Sequence, residues 1–348
     1  MPIKTFREAV NEAMAQEMRR DSRVILIGED VAGGQGGGGT EDAFGGVFGV
    51  TKGLYPEFGP KRIIDTPITE SAIMGAAAGA ACTGLRPIAE LMFVDFLGVC
   101  FDQIYNQAAK FRYMFGGKSE CPLVIRSMIG SGMRAAAQHS QSLTNMFTMV
   151  PGLKVVIPSN AYDAKGLLTT AIRDNDPVIF LEHKMLYDRK HEVPDEQYTI
   201  PFGEANFTRE GEDVTIVAIS NMVHRANKVA DKLLKDGISC DVIDPRTTSP
   251  LDIESIVESV EMTGRLVIVE ESPPRCSVAA DISALVAQLA FHALKAPIEL
   301  VTSPHTPIPF APNLEDAWVP SLEQIESAVR KTLGYQRETR KHALELML

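Results

Sequence analysis

Between Arg62 and Ala81 the sequence leaves little choice of structure. Arg62-Ile63-Ile64 is an apolar run, and Asp65-Thr66-Pro67-Ile68-Thr69-Glu70-Ser71 interrupts it with polar residues and a proline. Ala72-Ile73-Met74-Gly75-Ala76-Ala77-Ala78-Gly79-Ala80-Ala81 then follows, almost all glycine and alanine. The stretch predicts a strand, a corner and a helix whose backbone another helix or a flat ligand can approach closely, because most of its side chains end at Cβ. Thr69 is placed to cap this helix, or Pro67 to occupy its first turn. Either choice sets Glu70 at the positive end of the dipole, where an ionised carboxylate is favoured. A glutamate in a first turn is a favourable cap before it is anything else, so Glu70 needs further residues to give it a chemical role.

The same alternation of strand and helix runs through the chain. Thr5-Phe6-Arg7-Glu8 reads as a capping box opening a helix to about Arg20, with Phe6, Val10, Ala13 and Met14 at core spacing. Strands are predicted at 24–27, 87–94, 122–126, 153–157 and 178–182, with helices at 96–114 and 161–173. A polar stretch containing Pro194 and ending at Pro201 reads as a linker. Beyond it come a hairpin around Glu210-Gly211-Glu212-Asp213, strands at 214–219, 239–243, 266–269 and 298–301, and helices at 223–235, 251–260, 278–294 and 322–333. The fold class is α/β, with two doubly wound domains at 1–186 and 203–348 joined by the linker 187–202, and 348 residues are enough for two such cores. The return Pro304-His305-Thr306-Pro307-Ile308-Pro309-Phe310 cannot be a central strand and is expected across a surface or an interface.

Charge and motifs narrow the function. A net charge of −11 with no basic run excludes nucleic acid and anionic membrane surfaces as partners. No segment reaches the length of a membrane span, and Met1-Pro2-Ile3-Lys4-Thr5 leads into a helix without a signal-peptide core, so a soluble cytoplasmic setting is expected. Cys82, Cys100, Cys121, Cys240 and Cys276 are odd in number and lack metal-site spacing, which reads as reduced core thiols. Gly34, Gly36 and Gly39 have GxGxxG spacing, but more glycines follow where a helix should start, so a dinucleotide site fails on context and a loop is expected. Gly116-Gly117-Lys118-Ser119 fails as a P-loop because Arg112 stands where a glycine is required and a helix precedes it.

Asp-Thr-Pro-Ile-Thr-Glu at 65–70 with its glycine-alanine helix, Gly84-Leu85-Arg86-Pro87, and Ala137-Gln138-His139-Ser140-Gln141 occur in that order. Together they resemble the β subunit of the thiamine-diphosphate-dependent component of 2-oxoacid dehydrogenase complexes. The resemblance runs from about Thr5 to Leu333. It implies an N-terminal pyrimidine-binding transketolase-like domain and a C-terminal transketolase-like domain. It also implies that Glu70 hydrogen-bonds N1′ of the aminopyrimidine, that Ile68 and Phe96 line the cofactor with Phe96 stacked on that ring, and that His139 stands at the mouth near substrate and lipoyl groups. A carboxylate suits Glu70's place because proton exchange at N1′ lets the cofactor's own amino group take the C2 proton. The same likeness implies a structural potassium ion on Leu123, Ala171, Ile172, Asp174 and Asp176, the last being usually asparagine in the pattern.

Relatives of this kind need a Gly-Asp-Gly and a following asparagine pair to hold Mg2+ and the diphosphate, and this chain has no Gly-Asp-Gly. An acidic chain without P-loop or metal cluster cannot hold a diphosphate alone. The resemblance therefore implies an α subunit that supplies Mg2+ and shares the thiamine diphosphate, a heterotetramer of two α and two β chains, and a dihydrolipoamide acyltransferase core. The glycine insertion after Glu29-Asp30 and the runs 90–96, 106–118 and 273–277 look more like the acetoin dehydrogenase branch than the pyruvate branch. The expected reaction is cleavage of acetoin to acetaldehyde, with acetylation of lipoyl groups. A decarboxylating pyruvate or branched-chain 2-oxoacid dehydrogenase β subunit is the alternative, and a non-catalytic α/β scaffold subunit is the reading from another class.

Overall fold

Thr5 caps the first helix as its sequence predicts: its hydroxyl accepts from the Glu8 N–H, the Glu8 carboxylate accepts from the Thr5 N–H at 2.7 Å, and the helix runs Phe6–Arg20. The structure, a computed structural model, describes residues 1–33 and 45–335. The glycines 34, 36 and 39 and the tail beyond Tyr335 lie outside the described residues.

The strands are β1 (Ile3–Thr5), β2 (Val24–Glu29), β3 (Ile63–Thr66), β4 (Arg86–Phe93), β5 (Val124–Ile129), β6 (Lys154–Val156), β7 (Val178–His183), β8 (Lys190–Glu192), β9 (Asn206–Arg209), β10 (Val214–Ala218), β11 (Cys240–Asp244), β12 (Thr247–Ser249), β13 (Leu266–Glu270) and β14 (Glu299–Thr302). A seven-stranded sheet has the order β12-β6-β7-β5-β4-β2-β3 and a five-stranded sheet the order β14-β13-β10-β11-β9. All neighbours are parallel except β12 on β6 and β9 on β11. β5 and β7 are buried along their whole length, as parallel strands covered by helices on both faces must be.

The chain forms two units. The first comprises Met1–Glu204, Arg246–Leu251 and Thr306–Trp318, and the second Ala205–Pro245, Asp252–His305 and the residues from Val319. Residues 187–202, read from sequence as a linker, belong to the first unit. Tyr187, Val193 and Ile200 are buried in its core, and β8 pairs antiparallel with β1. Arg246–Leu251 and Thr306–Trp318 also fold with it, although the sequence places them in the second domain.

Several local expectations differ from what forms. The hairpin around residues 210–213 does not, since β9 hydrogen-bonds to β11 rather than to its neighbour β10. The single helix at 96–114 is divided into a turn Val94–Phe96, a helix Leu97–Asp102, a π-helical turn Gln103–Ala108 and a short helix Phe111–Met114. Gln103 lies against Gly75, where a Cβ would meet its Oε1 at 3.2 Å; the glycine lets this segment approach the backbone of helix Glu70–Cys82. Cys100, Cys121 and Cys240 are buried thiols, whereas Cys82 and Cys276 are exposed. Among the described residues no helix is long and apolar enough to cross a membrane.

Candidate functional site

The parallel strands of the first sheet end together at their carboxyl edge, where the crevices of α/β sheets commonly hold ligands. β3 ends at Thr66, and Pro67, Ile68 and Thr69 form the corner before helix Glu70–Cys82. Thr69 occupies the N-cap position without a side-chain capping bond, so the expected cap does not form; its carbonyl accepts from the Ile73 N–H at 2.9 Å. Glu70, first in the helix, has its carboxylate at the dipole's positive end. Ile68 is 73% exposed, and Thr66 Oγ1 is buried without a partner among the described residues.

Next to Thr66 in register stands Glu29, the last residue of β2. Burial pushes Glu29 above the usual carboxylate range, and the charges of Asp30, Glu70 and Asp65 add to that. Asp65 is raised too, chiefly by burial. Burial, with the nearby Glu70 charge, takes the Cys100 thiol up to about 12, and that thiol donates to the Phe96 carbonyl.

β4 ends at Phe93, and Phe96 closes the following turn. The rings of Phe93, Phe96 and His139 meet edge to face, with centroids 4.9 Å apart for Phe93–His139, 5.5 Å for Phe96–His139 and 5.8 Å for Phe93–Phe96. Two aromatic rings thus flank the imidazole. His139 rides on the loop after β5, which the Gly130 N–H closes on the Gln141 carbonyl at 3.0 Å. Gly130 has φ +90°, and any Cβ there would lie 2.1 Å from the His183 ring. Only glycine fits. Asp95 Oδ1 accepts from the Gln141 backbone N–H and side-chain amide, and Lys184, after β7, donates to the His139 carbonyl. Asp95 Oδ2 and Ser140 Oγ are buried without partners among the described residues.

Beneath this edge lies a buried ionic cluster. Arg126 donates to Glu182 at 2.6 and 2.8 Å and to Glu90 at 2.9 Å, and the Tyr187 hydroxyl donates to Glu182 at 3.0 Å. Burial raises Glu90 against the opposing pull of Arg126. Sequence reading missed Glu29, Asp95 and Lys184 and this cluster. The available signal for the cluster was a charged residue inside each of three apolar strands, β4, β5 and β7.

The residues expected to hold potassium lie instead at the amino edge of the same sheet. The Arg86 guanidinium donates to the Ile172 carbonyl at 2.8 Å and to the Asp174 carbonyl at 2.5 Å. Leu123 O accepts from the Val178 N–H, and Ala171 O from the Asp174 N–H. Lys154 binds the Asp174 carboxylate at 2.6 and 2.7 Å, and Arg112 pairs with Asp176. The set as folded does not fit a further cation, because a potassium ion on these carbonyls would stand against Arg86.

The chain matches two families: residues 4–190 match "Transketolase, pyrimidine binding domain" and residues 203–325 match "Transketolase, C-terminal domain". It is 64% identical over 325 residues to the acetoin:2,6-dichlorophenolindophenol oxidoreductase subunit beta of Cupriavidus necator, covering 93% of this chain and 96% of the relative. It is 49% identical over 331 residues to the pyruvate dehydrogenase E1 component subunit beta of Rickettsia felis, covering 95% and 98%. A solved structure described as a split gene transketolase, inactive beta4 tetramer, superposes with TM-score 0.75 at 24% identity, covering 96% of this chain and 99% of that one, which supports the fold.

Proposed function

The chain belongs to the family of dehydrogenase β subunits built from transketolase pyrimidine-binding and C-terminal domains, and from that premise we propose that it is the β subunit of a thiamine-diphosphate-dependent acetoin dehydrogenase. The placement of Glu70 carries the chemistry: a carboxylate at a helix N-terminus on the carboxyl edge of the parallel sheet, the same edge at which β4 runs out into Phe93 and Phe96. The higher identity to the acetoin enzyme than to the pyruvate enzyme supports the substrate.

The carboxyl edge fits a bound group. It carries the exposed Ile68, the half-buried Phe96 and three buried oxygens without partners among the described residues, Thr66 Oγ1, Asp95 Oδ2 and Ser140 Oγ. Thiamine diphosphate, when bound, supplies a carbon nucleophile and an electron sink for cleaving a bond next to a carbonyl. Glu70 takes the hydrogen bond at N1′ of the aminopyrimidine and holds or releases the proton there. Ile68 and Phe96 would line the cofactor beside it. The rings of Phe93 and Phe96 pack edge to face against His139, whose imidazole meets substrate oxygens and the incoming lipoyl group at the mouth.

An α subunit completes the site in this reading by holding Mg2+ and the diphosphate, in a heterotetramer of two α and two β chains that serves an acyltransferase core in the cytoplasm. Ala72, Ala76, Gly79 and Thr83 follow each other at helical spacing on the exposed face of helix Glu70–Cys82, which leaves its backbone open to close approach. Reconstitution tests the proposal. Acetoin-dependent reduction of 2,6-dichlorophenolindophenol is expected only after mixing with the α partner, and with kcat/KM higher for acetoin than for pyruvate. A higher value for pyruvate would refute the substrate and leave the cofactor reading intact; tight Mg2+-dependent cofactor binding by this chain alone would refute the shared site.

A further inference from the structure

The loop that carries His139 is built from conformations that L-residues avoid. Gly130 and Gly132 have φ +90° and +104°, and Arg134 and Ala136, which are not glycine, have φ +58° and +62°. Such a backbone persists only where its surroundings hold it. The holder comes from far along the sequence. Glu315, in helix Pro312–Trp318, is fully buried, and its carboxylate accepts from the Gly132 N–H at 2.7 Å, the Arg134 N–H at 3.2 Å and the Arg134 side chain at 2.6 Å. Arg134 also reaches the Pro312 carbonyl at 3.1 Å and Asp316 at 2.8 Å. Helix Pro312–Trp318 is itself tied down, with Trp318 buried and its indole N–H donating to the Thr306 carbonyl at 3.2 Å.

We propose that Glu315 is a positioning residue for the reaction: by clamping Gly132 and Arg134 it sets the loop so that His139 stands against Phe93 and Phe96. The proposal rests on the reading of His139 as a group at the mouth of the site. Glu315 touches no reacting atom. It acts through the backbone, while Lys184 and Asp95 secure the loop at its far end through the His139 carbonyl and Gln141. A carboxylate is required because one side chain must accept from two backbone donors and a guanidinium at once, and charge-assisted bonds of this kind are the stronger ones.

The test uses the assembled enzyme with its α partner. In Glu315→Gln, one accepting oxygen becomes a donor while the shape is kept. Hydrogen exchange of the peptide covering 130–139 is expected to accelerate about 10-fold or more, the consequence of losing one charge-assisted bond. Turnover of the lipoyl acceptor should fall about 10-fold and dye reduction less than about twofold, the pattern of a displaced His139. Combined with His139→Ala, the substitution should add no further loss, because both act through one group. Asp316→Asn, at an exposed pair, should leave all three measurements near wild type. Unchanged exchange, equal losses in both assays, or multiplying losses in the double variant would each overturn the clamp. Should the Glu315 variant fail to assemble, Arg134→Ala carries the same comparison with smaller changes. Absence of acetoin- and pyruvate-dependent dye reduction in the wild-type tetramer would instead overturn the functional reading, and the exchange measurement would still decide the clamp.

Discussion

The two edges of the seven-stranded sheet are both rich in charged residues, and they treat those residues in opposite ways. At the amino edge the charges face partners within the chain: Arg86 on two carbonyls, Lys154 on Asp174, Arg112 on Asp176. At the carboxyl edge like charges gather, those of Asp30, Glu70 and Asp65 adding to the burial that raises Glu29, and among the described residues Thr66, Asp95 and Ser140 each keep a buried oxygen without a partner. A folded chain leaves such groups unpaired at a cost of about 1–3 kcal/mol each unless something outside the chain meets them. The first edge is finished by folding and the second is not. That contrast separates a structural salt-bridge network from a site, although the same residue types make both.

Substitutions can break the contrast. The largest effect is expected at Glu70: Glu70→Gln should lower dye reduction by the assembled enzyme roughly 10²–10⁴-fold with no change in melting temperature. Loss of both together would assign Glu70 a structural role. Arg126→Met, beneath the carboxyl edge, should destabilise the purified chain by about 3–5 kcal/mol, because Glu90 and Glu182 are left buried and uncompensated; chemical denaturation measures this, and a loss below about 1 kcal/mol would show that water enters the cluster.

Arg86→Met at the amino edge should cost about 1–3 kcal/mol through the orphaned carbonyls of Ile172 and Asp174, while kcat of the assembled enzyme stays unchanged. Replacing KCl by choline chloride should not move the melting temperature of the wild-type chain but should lower it in this variant, where a potassium ion can take the guanidinium's place. Potassium stabilisation of the wild type would refute the exclusion by Arg86.

The smallest effect concerns Glu29. Its folded pKa lies above the ordinary 4.5, so the folded chain binds this proton more tightly than the unfolded one. The resulting stability is complete below the ordinary carboxylate range and is lost as pH rises through the folded value. Glu29→Gln should therefore melt with the wild type near pH 4 and slightly above it at pH 8, by about 0.5 kcal/mol given the solvent screening at this half-exposed position. Lower stability of the variant at pH 8 would mean that Glu29 has a favourable partner.

Local sequence determined the elements whose cause is local. The capping box at Thr5 and Glu8, the corner at 65–70 with its close-approach helix, and the alternation of strand and helix all follow from side-chain period, capping and backbone sterics, which act within a few residues. The place of Glu70 at a helix N-terminus was legible because such a terminus is written in the residues around it. The residues around His139 were not legible: Phe93, Phe96 and Lys184 reach it, and Asp95 and Glu315 reach its loop, from strand ends and a helix that lie tens to nearly two hundred residues away. The same holds for β9, which pairs with β11 and not with the strand that follows it, and for Arg86, whose carbonyl partners come 86 and 88 residues later. Periodicity and turn chemistry say which face of an element is buried. They do not say which partner is opposite, and that was decided only when the parallel sheet brought its strand ends to common edges.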